Sequence, residues 1–373
     1  EGVGCLLVAG DIFDTATPGS QVQGLYYRFL HRLANTSCRH IVIIGGNHDS
    51  SSLLEAPREL LRQLDIHVIG AFGESFDKEI VLLNDAQGQP ELLVCAVPFL
   101  RDRDIRLAAP GETLEEKGAR LREGIRDHYH QVCQRAEHQR QTIAPELPLV
   151  VMGHLFVAGG RTLEGDGVRE LMIGGLDRVE STIFPDFVDY LALGHLHQGQ
   201  MVGGNGTRRY SGAPLAMSFA EADQVKEVLL LEGKGRSFMI TPVPVPVGQP
   251  LASLRGDLPQ LLHGLDQLKQ RACPVWVDLL YDGDTIIPDL REQLTAAVAG
   301  SELVLVRIRN TRCYNFALQQ ATGTETLDDL TVDEVFERCL AANTVAEDQC
   351  AALRGAFSEI VQTIEGQERD KLA

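Results

Sequence analysis

Long apolar runs and a basic leader are both absent from this sequence. No apolar run approaches the roughly 18 residues of a membrane-spanning helix, and no basic region followed by an apolar core marks a secretory signal at the beginning. With 373 residues, 44% hydrophobic and 23% charged, the chain can bury a sizeable core. We therefore expect a soluble cytoplasmic protein, without membrane contact, of roughly two or three domains.

Paired cysteines are also absent. The 8 cysteines are scattered singly with no C-x-x-C pair, and several, such as Cys5 and Cys95, lie within apolar strand patterns. This spacing predicts reduced, structural thiols and gives no disulfide framework.

Positive charge is scarce, because 34 Lys and Arg residues stand against 52 Asp and Glu, a formal charge of −18. Such a balance argues against coating nucleic acid by bulk electrostatics. A local basic patch or bound cations could still admit phosphates.

Apolar runs and amphipathic segments alternate over residues 1–240. Residues 4–9 and His40–Ile44 are predicted strands, and residues 22–33 and 51–64 have helical spacing. Further strands are expected at 91–97, 147–152 and 190–193, with a long helix at 114–138. This βαβα succession predicts an α/β domain with a largely parallel sheet covered by helices.

A proline-rich stretch, TPVPVPVGQP at residues 241–250, holds 4 prolines and suits an extended connector between domains. A second, smaller domain is expected at residues 251–320, where a helix at 287–298 between two strand patterns forms a βαβ unit. Residues 325–373 then predict two amphipathic helices with no strand to cover them. This tail is either a helical hairpin on its own domain or a docking element for another protein.

Polar residues of metal-ligand type follow four of the predicted strands. In an open α/β sheet, ligands bind outside the carboxyl ends of the strands, so these residues are expected at one edge. They are Asp11, Asn47-His48-Asp49, His154, and the pair His195 and His197.

Asp, Asn and imidazole together suit a borderline or hard divalent ion, and the lack of cysteine among them argues against structural zinc. His195 and His197 are two apart, so an extended segment points both to the same side. Gly-Asp after a strand is also a common turn former, and Gly-Asn-His-Asp could be an Asx turn. Independent turns would not be expected to place such residues at one edge, each preceded by Gly, so we favour a metal site.

Four motifs, GDIFD, GGNHDS, MGHL and LGHLHQ, in this order resemble later signature motifs of the calcineurin-like metallophosphoesterases. VPFLRDRDIR, YSGAPLAMSF, the βαβ unit and the helical tail narrow the resemblance to the SbcD family, the nuclease subunits of bacterial SbcCD complexes. The resemblance covers essentially the whole chain. It implies a metallophosphoesterase sandwich with helices outside, a small α+β capping domain, and a tail, residues 325–373, that binds an SbcC-type ATPase.

The resemblance also implies roles for individual residues. Asp11 matches a carboxylate that bridges two divalent cations, Mn²⁺ in the first place with Mg²⁺ as the alternative. His48 matches the catalytic histidine beside the scissile phosphate. Asn47, His154 and His195 match the other ligands of one ion, and His197 matches a ligand of the second.

Two further carboxylates adjoin these motifs. Asp49 is a candidate to support the ligands through hydrogen bonds. Asp14 stands where many relatives carry a histidine, and it is either a turn residue or a supporting carboxylate.

The family's first motif, Asp-x-His, lies on a strand before the one at residues 4–9, and the sequence begins at Glu1 without Met. One of the two ion sites is therefore incomplete in the sequence given. Either the natural protein has a longer N-terminus, which we expect, or the chain is a pseudoenzyme.

Two functions from different classes follow from the resemblance. The first is a metal-dependent DNA nuclease, a double-strand exonuclease and single-strand or hairpin endonuclease, that works with an SbcC-type ATPase in DNA replication, repair and recombination. The second is a scaffold that binds DNA ends and the ATPase without cutting. A small-molecule phosphodiesterase is a third possibility, weakened by the capping domain and tail.

The remaining expectations concern partners. DNA phosphates could be contacted by a set of arginines, for which the alternative is solvated surface charge: Arg101, Arg103, Arg106, Arg208 and Arg209. In the family, the helices predicted at 22–33 and 51–64 also build a homodimer, so a homodimer within a heterotetramer is expected.

Overall fold

The computed structural model describes residues 2–73, 75–105, 111–157, 160, 179–271, 273–283, 285 and 287–310, with 336, 337, 340, 353–355 and 357 near the C-terminus. The chain forms two compact units, Glu1–Gly248 and Gln249–Ala373. Arg106 and most of the predicted tail lie outside the described residues. Within the described ranges, no helix has the length and apolar character needed to cross a membrane.

A three-stranded parallel sheet opens the first unit, with strands β1 (Cys5–Ala9), β2 (His40–Ile44) and β3 (Ile66–Ile69) in that order. Helix α1 (Ser20–Ala34) connects β1 to β2. Ala9 pairs with Ile44, so β1 and β2 end at the same edge. The strand predicted at His40–Ile44 is confirmed.

The single helix predicted at residues 51–64 is wrong, because the structure contains two short helices, α2 (Ser51–Glu55) and α3 (Arg58–Arg62). Ser50 caps α2 by accepting a hydrogen bond from the Leu53 N–H at 3.3 Å. Pro57 lies between the two helices, and it has no N–H to continue a helical ladder.

A six-stranded mixed sheet forms the rest of the first unit's α/β part. Its strands are β4 (Ile80–Asn84), β5 (Pro90–Ala96), β6 (Leu149–His154), β7 (Tyr190–Gly194), β8 (Gln200–Val202) and β9 (Asn205–Tyr210). The order is β4-β5-β6-β7-β9-β8, with antiparallel β4 and β8 at the edges of a parallel centre. Two helices follow β5, the short α4 (Asp102–Ile105) and the long α5 (Leu114–Ile143).

The two sheets share an apolar cluster. It joins the inward side chains of β1 and β2, such as Leu7 and Ile44, to Val94, Ala96 and Met152 of the larger sheet. The other face of the small sheet packs on α1, α2 and α3, and the other face of the large sheet packs on α5. The facing sheets therefore bring the ends of β1, β2, β6 and β7 to one edge of the unit.

A two-stranded antiparallel hairpin, β10 (Glu227–Lys234) and β11 (Ser237–Pro244), follows. The first four residues of the predicted connector, 241–244, therefore belong to β11. Each strand of a two-stranded sheet has an outer edge that needs no hydrogen-bond donor, so Pro242 and Pro244 are tolerated there.

The described part of the second unit alternates strands with helices: β12 (Leu251–Gly256), α6 (Leu258–Lys269), β13 (Val275–Tyr281), α7 (Leu290–Val298) and β14 (Leu303–Asn310). All three strands are parallel, in the order β12-β13-β14. This part is α/β in type, where the sequence predicted α+β with a single βαβ unit. The difference arises because β12 and α6 continue the same alternation toward the N-terminus.

Candidate metal centre

Four of the predicted ligands lie together at the carboxyl ends of their strands. The ligand-type atoms of Asp11, His154 and His195 all lie within 4.8 Å of one another. Asn47 joins them, since its Oδ1 lies 2.9 Å from His154 Nε2 and 3.2 Å from His195 Nδ1. The structure thus brings together the residues that follow β1, β2 and β7 with the last residue of β6.

Glycines make this close approach sterically possible. A Cβ at Gly10 would lie 2.2 Å from His154 Nδ1, and one at Gly46 would lie 2.1 Å from Asp11 Oδ1. A Cβ at Gly194 would lie 1.7 Å from the carbonyl oxygen of Ala9. A larger residue would therefore separate the strand ends, which explains why glycine precedes these polar residues in the sequence.

Two members of the cluster have backbone conformations that residues other than glycine rarely adopt. The φ angle is 50° at Asp11 and 101° at His195. Such conformations cost of order 1–3 kcal/mol and persist only where the surrounding structure enforces them. Here the enforced conformation carries both side chains into the cluster.

The hydrogen bonding of His154 fixes which nitrogen faces the cluster. Its Nδ1 lies 2.8 Å from the Ala9 carbonyl oxygen, which can only accept, so Nδ1 carries the proton. Its Nε2 lies 3.2 Å from Asp11 Oδ2 and 2.9 Å from Asn47 Oδ1. An imidazole lone pair therefore converges with a carboxylate and an amide oxygen. A divalent cation would satisfy all three, so the donor set fits such an ion.

The electrostatics of the cluster give the protonation states that metal ligands require. Burial would raise the pKa of Asp11, but its polar contacts, with the His154 ring first and the backbone N–H of His48 at 3.0 Å second, outweigh burial and lower that pKa to about 2. Burial is the main cause that lowers the pKa of His195 to about 3. At neutral pH the carboxyl is ionised and the His195 ring is neutral.

His48 lies beside this cluster and outside its ligand set. Its Nδ1 donates to the backbone carbonyl of Asp14 at 2.7 Å, which leaves Nε2 as the nitrogen that can exchange a proton. The Asp14 carboxylate itself is exposed, and its Oδ1 lies 3.7 Å from His48 Nδ1. Asp14 therefore contributes mainly its backbone carbonyl to the site.

Asp49 is buried beneath the cluster and joins two of its loops. Its carboxylate accepts from the backbone N–H groups of Ile12 at 3.1 Å, Phe13 at 2.9 Å and Gly46 at 2.8 Å. Burial raises the pKa of this carboxyl, against the effect of the three hydrogen bonds. Asp49 thereby holds the loop after β1 against the loop after β2.

His197 stands apart from the cluster formed by Asp11, His154 and His195. Its Nδ1 lies 3.1 Å from Oε1 of Glu221, which is fully buried and paired with Lys226. Burial would raise the pKa of Glu221, but hydrogen bonds from His197 and Lys226 outweigh it and lower that pKa. Sequence reasoning missed Glu221 and Lys226. The adjoining motif YSGAPLAMSF was the only signal near them.

The candidate DNA-contact arginines mostly have protein partners. Arg101 donates to Ser51 Oγ at 3.2 Å and to the Asp49 carbonyl at 3.1 Å, which ties the segment after β5 to the loop after β2. Arg208 donates to the Ser181 carbonyl at 2.8 Å. Phosphate contact by any of the five arginines stays a prediction.

Arg103 is exposed and lies 3.5 Å from Asp104, whereas Arg209 is half-buried on β9.

The described cysteines form no disulfide. They are Cys5, Cys38, Cys95, Cys133 and Cys273.

Comparisons with known proteins agree with the motifs. Residues 247–344 match the model of the Type 5 capsule protein repressor C-terminal domain family. The chain is 33% identical over 372 residues to the SbcCD nuclease D subunit of Escherichia coli (strain K12), covering 98% of this chain and 90% of that protein. It is 35% identical over 326 residues to the D subunit of the same name from Rhodobacter capsulatus, covering 84% and 78%.

A third relative, the SbcCD nuclease D subunit of Bacillus subtilis (strain 168), is 31% identical over 285 residues, covering 75% of this chain and 69% of the relative. The predicted resemblance is confirmed. The chain belongs to the family of SbcCD nuclease D subunits.

Proposed function

We propose that this chain is the catalytic subunit of an SbcCD-type complex and hydrolyses DNA phosphodiester bonds with divalent cations, Mn²⁺ in the first place. The observation that carries this proposal is the convergence of the Asp11, Asn47, His154 and His195 ligand atoms at one edge of the facing sheets. Membership of the nuclease family supports the same reaction. The facing sheets also fit the metallophosphoesterase sandwich that the resemblance implies.

Each residue of the site has a chemical task in this proposal. Asp11, Asn47, His154 and His195 would hold one ion, and His197 would contribute to a second that shares Asp11. Bound divalent cations supply Lewis-acid stabilisation of the charge that develops on the phosphate. His48, with Nδ1 held by Asp14, is placed to hydrogen bond to the phosphate or to give a proton to the leaving oxygen.

The proposed activity is tested with the purified full protein on double-stranded ends, single strands and hairpins, with and without Mn²⁺. Metal-dependent cleavage that disappears in Asp11→Asn supports the proposal, and the variant excludes a contaminating nuclease. DNA-end binding without cleavage by the wild type would favour the scaffold function instead.

The finer organisation is also a proposal. We assign residues 1–240, with the end of β11 at 241–244, to the nuclease, the remaining connector residues 245–250 to a linker, 251–320 to a capping domain and 325–373 to a segment that binds an SbcC-type ATPase. Deleting residues 325–373 should abolish co-purification with the ATPase while Mn²⁺-dependent cleavage of single strands continues. Unchanged co-purification would contradict the assignment of the tail.

The exposed apolar side chains of α1 support a homodimer. Val22, Leu25 and Phe29 follow helical spacing and are 50%, 61% and 47% exposed, and Leu60 on α3 is 69% exposed. Covering these side chains with a second copy would remove apolar area from water. Light scattering should therefore report a dimer for the wild type and a monomer for L25E/F29E. A dimeric L25E/F29E variant would contradict the assignment of this surface.

We also propose that the protein works in the cytoplasm, in DNA end processing, with roles in repair and recombination.

A further inference from the structure

One buried ion pair holds His197 by both its ring and its backbone. Oε1 of Glu221 lies 3.1 Å from the ring Nδ1, and Lys226 Nζ donates to the His197 carbonyl oxygen at 3.0 Å. Glu221 and Lys226 are also paired with each other. Glu221 therefore holds the ring of His197, and Lys226 holds its backbone.

Glu221 is fixed on all sides. Its side chain is 0% exposed, and besides His197 it accepts from Ser218 Oγ at 3.2 Å and from the Met217 N–H at 3.3 Å. Lys226 is equally committed, since its ammonium also donates to Gln224 Oε1 at 2.9 Å. Neither group can rotate without breaking several hydrogen bonds, so the orientation of the carboxylate toward Nδ1 is built into the fold.

The segment that carries Glu221 also contacts the His197 loop through its backbone. The Ala213 N–H donates to the His197 carbonyl at 3.0 Å. Gly212 has a φ of +78°, and a Cβ there would lie 2.8 Å from the same carbonyl oxygen and 2.6 Å from the Gly199 N. The YSGAPLAMSF segment is thereby held against the loop, and it places Glu221 behind the ring.

A buried ion pair contributes little net stability compared with apolar residues of similar size. Net stability therefore does not explain why the Glu221–Lys226 ion pair lies against His197, a predicted metal ligand. A carboxylate can only accept a hydrogen bond, so its partner nitrogen must carry the proton. A metal-ligating histidine is oriented in the same way when its other ring nitrogen donates to a carboxylate.

We propose that Glu221, held in place by Lys226, is a positioning residue that selects the Nδ1–H tautomer of His197 and keeps the Nε2 lone pair as the metal-binding atom. This inference rests on the proposed function, in which His197 is a ligand of the second ion. It adds two residues to the metal centre, neither of which touches the metal or the phosphate.

The test uses the full protein with ¹⁵N-labelled histidine rings and charge-neutral double variants. E221L/K226M removes the acceptor and the cation together, so no unpaired buried charge remains. E221Q/K226M removes the same charges but keeps an oxygen that can accept from Nδ1–H. The matched control is R140M/D189N, which removes another buried ion pair, with N···O at 2.8 Å, at the amino end of β7, the end opposite His195.

The nitrogen spectrum is recorded without metal at a pH where the ring is neutral, and Mn²⁺ affinity is measured by calorimetry. We expect the Nδ1–H tautomer in the wild type and a shift toward Nε2–H in E221L/K226M, with a loss of Mn²⁺ affinity of about 10–100-fold. E221Q/K226M should retain the tautomer and most of the affinity. R140M/D189N should match the wild type in both measurements.

Several results would overturn the inference. These are an Nε2–H tautomer in the wild type, wild-type tautomer and affinity in E221L/K226M, or equal losses in R140M/D189N. The wild-type tautomer decides the matter even if E221L/K226M does not fold. His197→Asn assigns the signal and separates the two proposals: unchanged Mn²⁺ binding in that variant refutes His197 as a ligand. Weakened binding in His197→Asn beside unchanged binding in E221L/K226M refutes only the role of Glu221.

Discussion

A Gly-Asp dipeptide lies at the end of a parallel strand in both units, but the aspartate has a different role in each. In the second unit, Asp257 caps α6, since its side chain accepts from the Gln260 N–H at 2.9 Å and the Gln260 side chain accepts in turn from the Asp257 N–H. In the first unit, Asp11 begins no helix. Its oxygens instead reach the His48 N–H at 3.0 Å and His154 Nε2 at 3.2 Å.

The neighbouring strands account for the difference. Asp257 finds its partner three residues ahead, so its carboxylate is satisfied locally. Asp11 finds its partners 37 and 143 residues away, on segments that end at the same edge. A strand-end aspartate is therefore a functional candidate when adjacent strands deliver ligand-type atoms to it, and a capping residue when the next helix does.

The largest effect is expected from making the same substitution in both dipeptides. Asp11→Asn keeps the shape of the side chain but removes its charge, and cleavage should fall by about 10⁴-fold, because bound cations supply several kcal/mol of charge stabilisation. Asp257→Asn should leave cleavage unchanged, since Asn caps helices as well as Asp does. Steady-state DNA cleavage with Mn²⁺ measures both, and equal losses would mean that the contrast between the two aspartates is wrong.

Within the first unit, His48→Ala should separate catalysis from metal binding. Cleavage should fall by about 10²–10³-fold, as expected for loss of a general acid or phosphate contact. Calorimetry should show Mn²⁺ affinity close to that of the wild type, because the imidazole of His48 lies outside the ligand cluster. A large loss of affinity would instead place the His48 ring among the ligands.

A moderate effect is expected from filling the space beside Asp11. In Gly46→Ala the new Cβ would lie 2.1 Å from Asp11 Oδ1 and 2.3 Å from Asp11 N, so the loop must shift. Overpacking of this kind costs about 1–3 kcal/mol and should lower Mn²⁺ affinity. Gly206→Ala is the matched control, since nothing lies within 4 Å of a Cβ there. Thermal unfolding and calorimetry check both, and identical behaviour of the two variants would refute the close packing of Gly46 against Asp11.

The smallest effect is expected in the second unit, where an aspartate inside a strand is held by arginines. Burial would raise the pKa of Asp278, but hydrogen bonds from Arg307 and Arg309, at 2.8 Å and 2.6 Å, outweigh it and lower that pKa. A lowered folded-state pKa stabilises the fold above the unfolded value of about 3.9, and this contribution is lost as the pH falls through the folded pKa.

Asp278→Asn should therefore cost about 1 kcal/mol or less at pH 7, because both arginines are partly exposed and solvent screens them. The difference from the wild type should shrink on acidification. Urea unfolding followed by the fluorescence of Trp276, the chain's 1 tryptophan, measures it. A difference that grows at low pH would contradict the direction of the shift, and DNA cleavage at pH 7 should be unaffected.

The convergence of four strand ends can be predicted from the sequence because parallel strands share a direction and Gly marks each close approach. The pairing of His197 with Glu221 cannot be predicted, because it depends on how the chain folds back over a sequence separation of 24 residues. Strands β8 to β11 were missed for a related reason. Strand β8 has 3 residues and β11 carries two prolines, and all four strands are stabilised by pairing with a neighbouring strand, which local propensity does not encode.

Helix boundaries show where local rules suffice and where they compete. The cap at Ser50 and the break at Pro57 both follow from residue type, yet the helical periodicity of residues 51–64 continues across the proline. Helix α5 begins at Leu114 as predicted and extends five residues beyond 138, to Ile143. Its last turn is held by Arg140, whose ion pair with Asp189 is a tertiary contact that the pattern alone does not reveal.

Anomalous diffraction at the manganese edge, from crystals of the full protein grown with Mn²⁺, tests the central claim most directly. We predict a peak within coordination distance of Asp11, Asn47 Oδ1, His154 Nε2 and His195, and no such peak in crystals of Asp11→Asn grown under the same conditions. Manganese bound elsewhere in the wild type, with these four side chains still in mutual contact and no density between them, would contradict it.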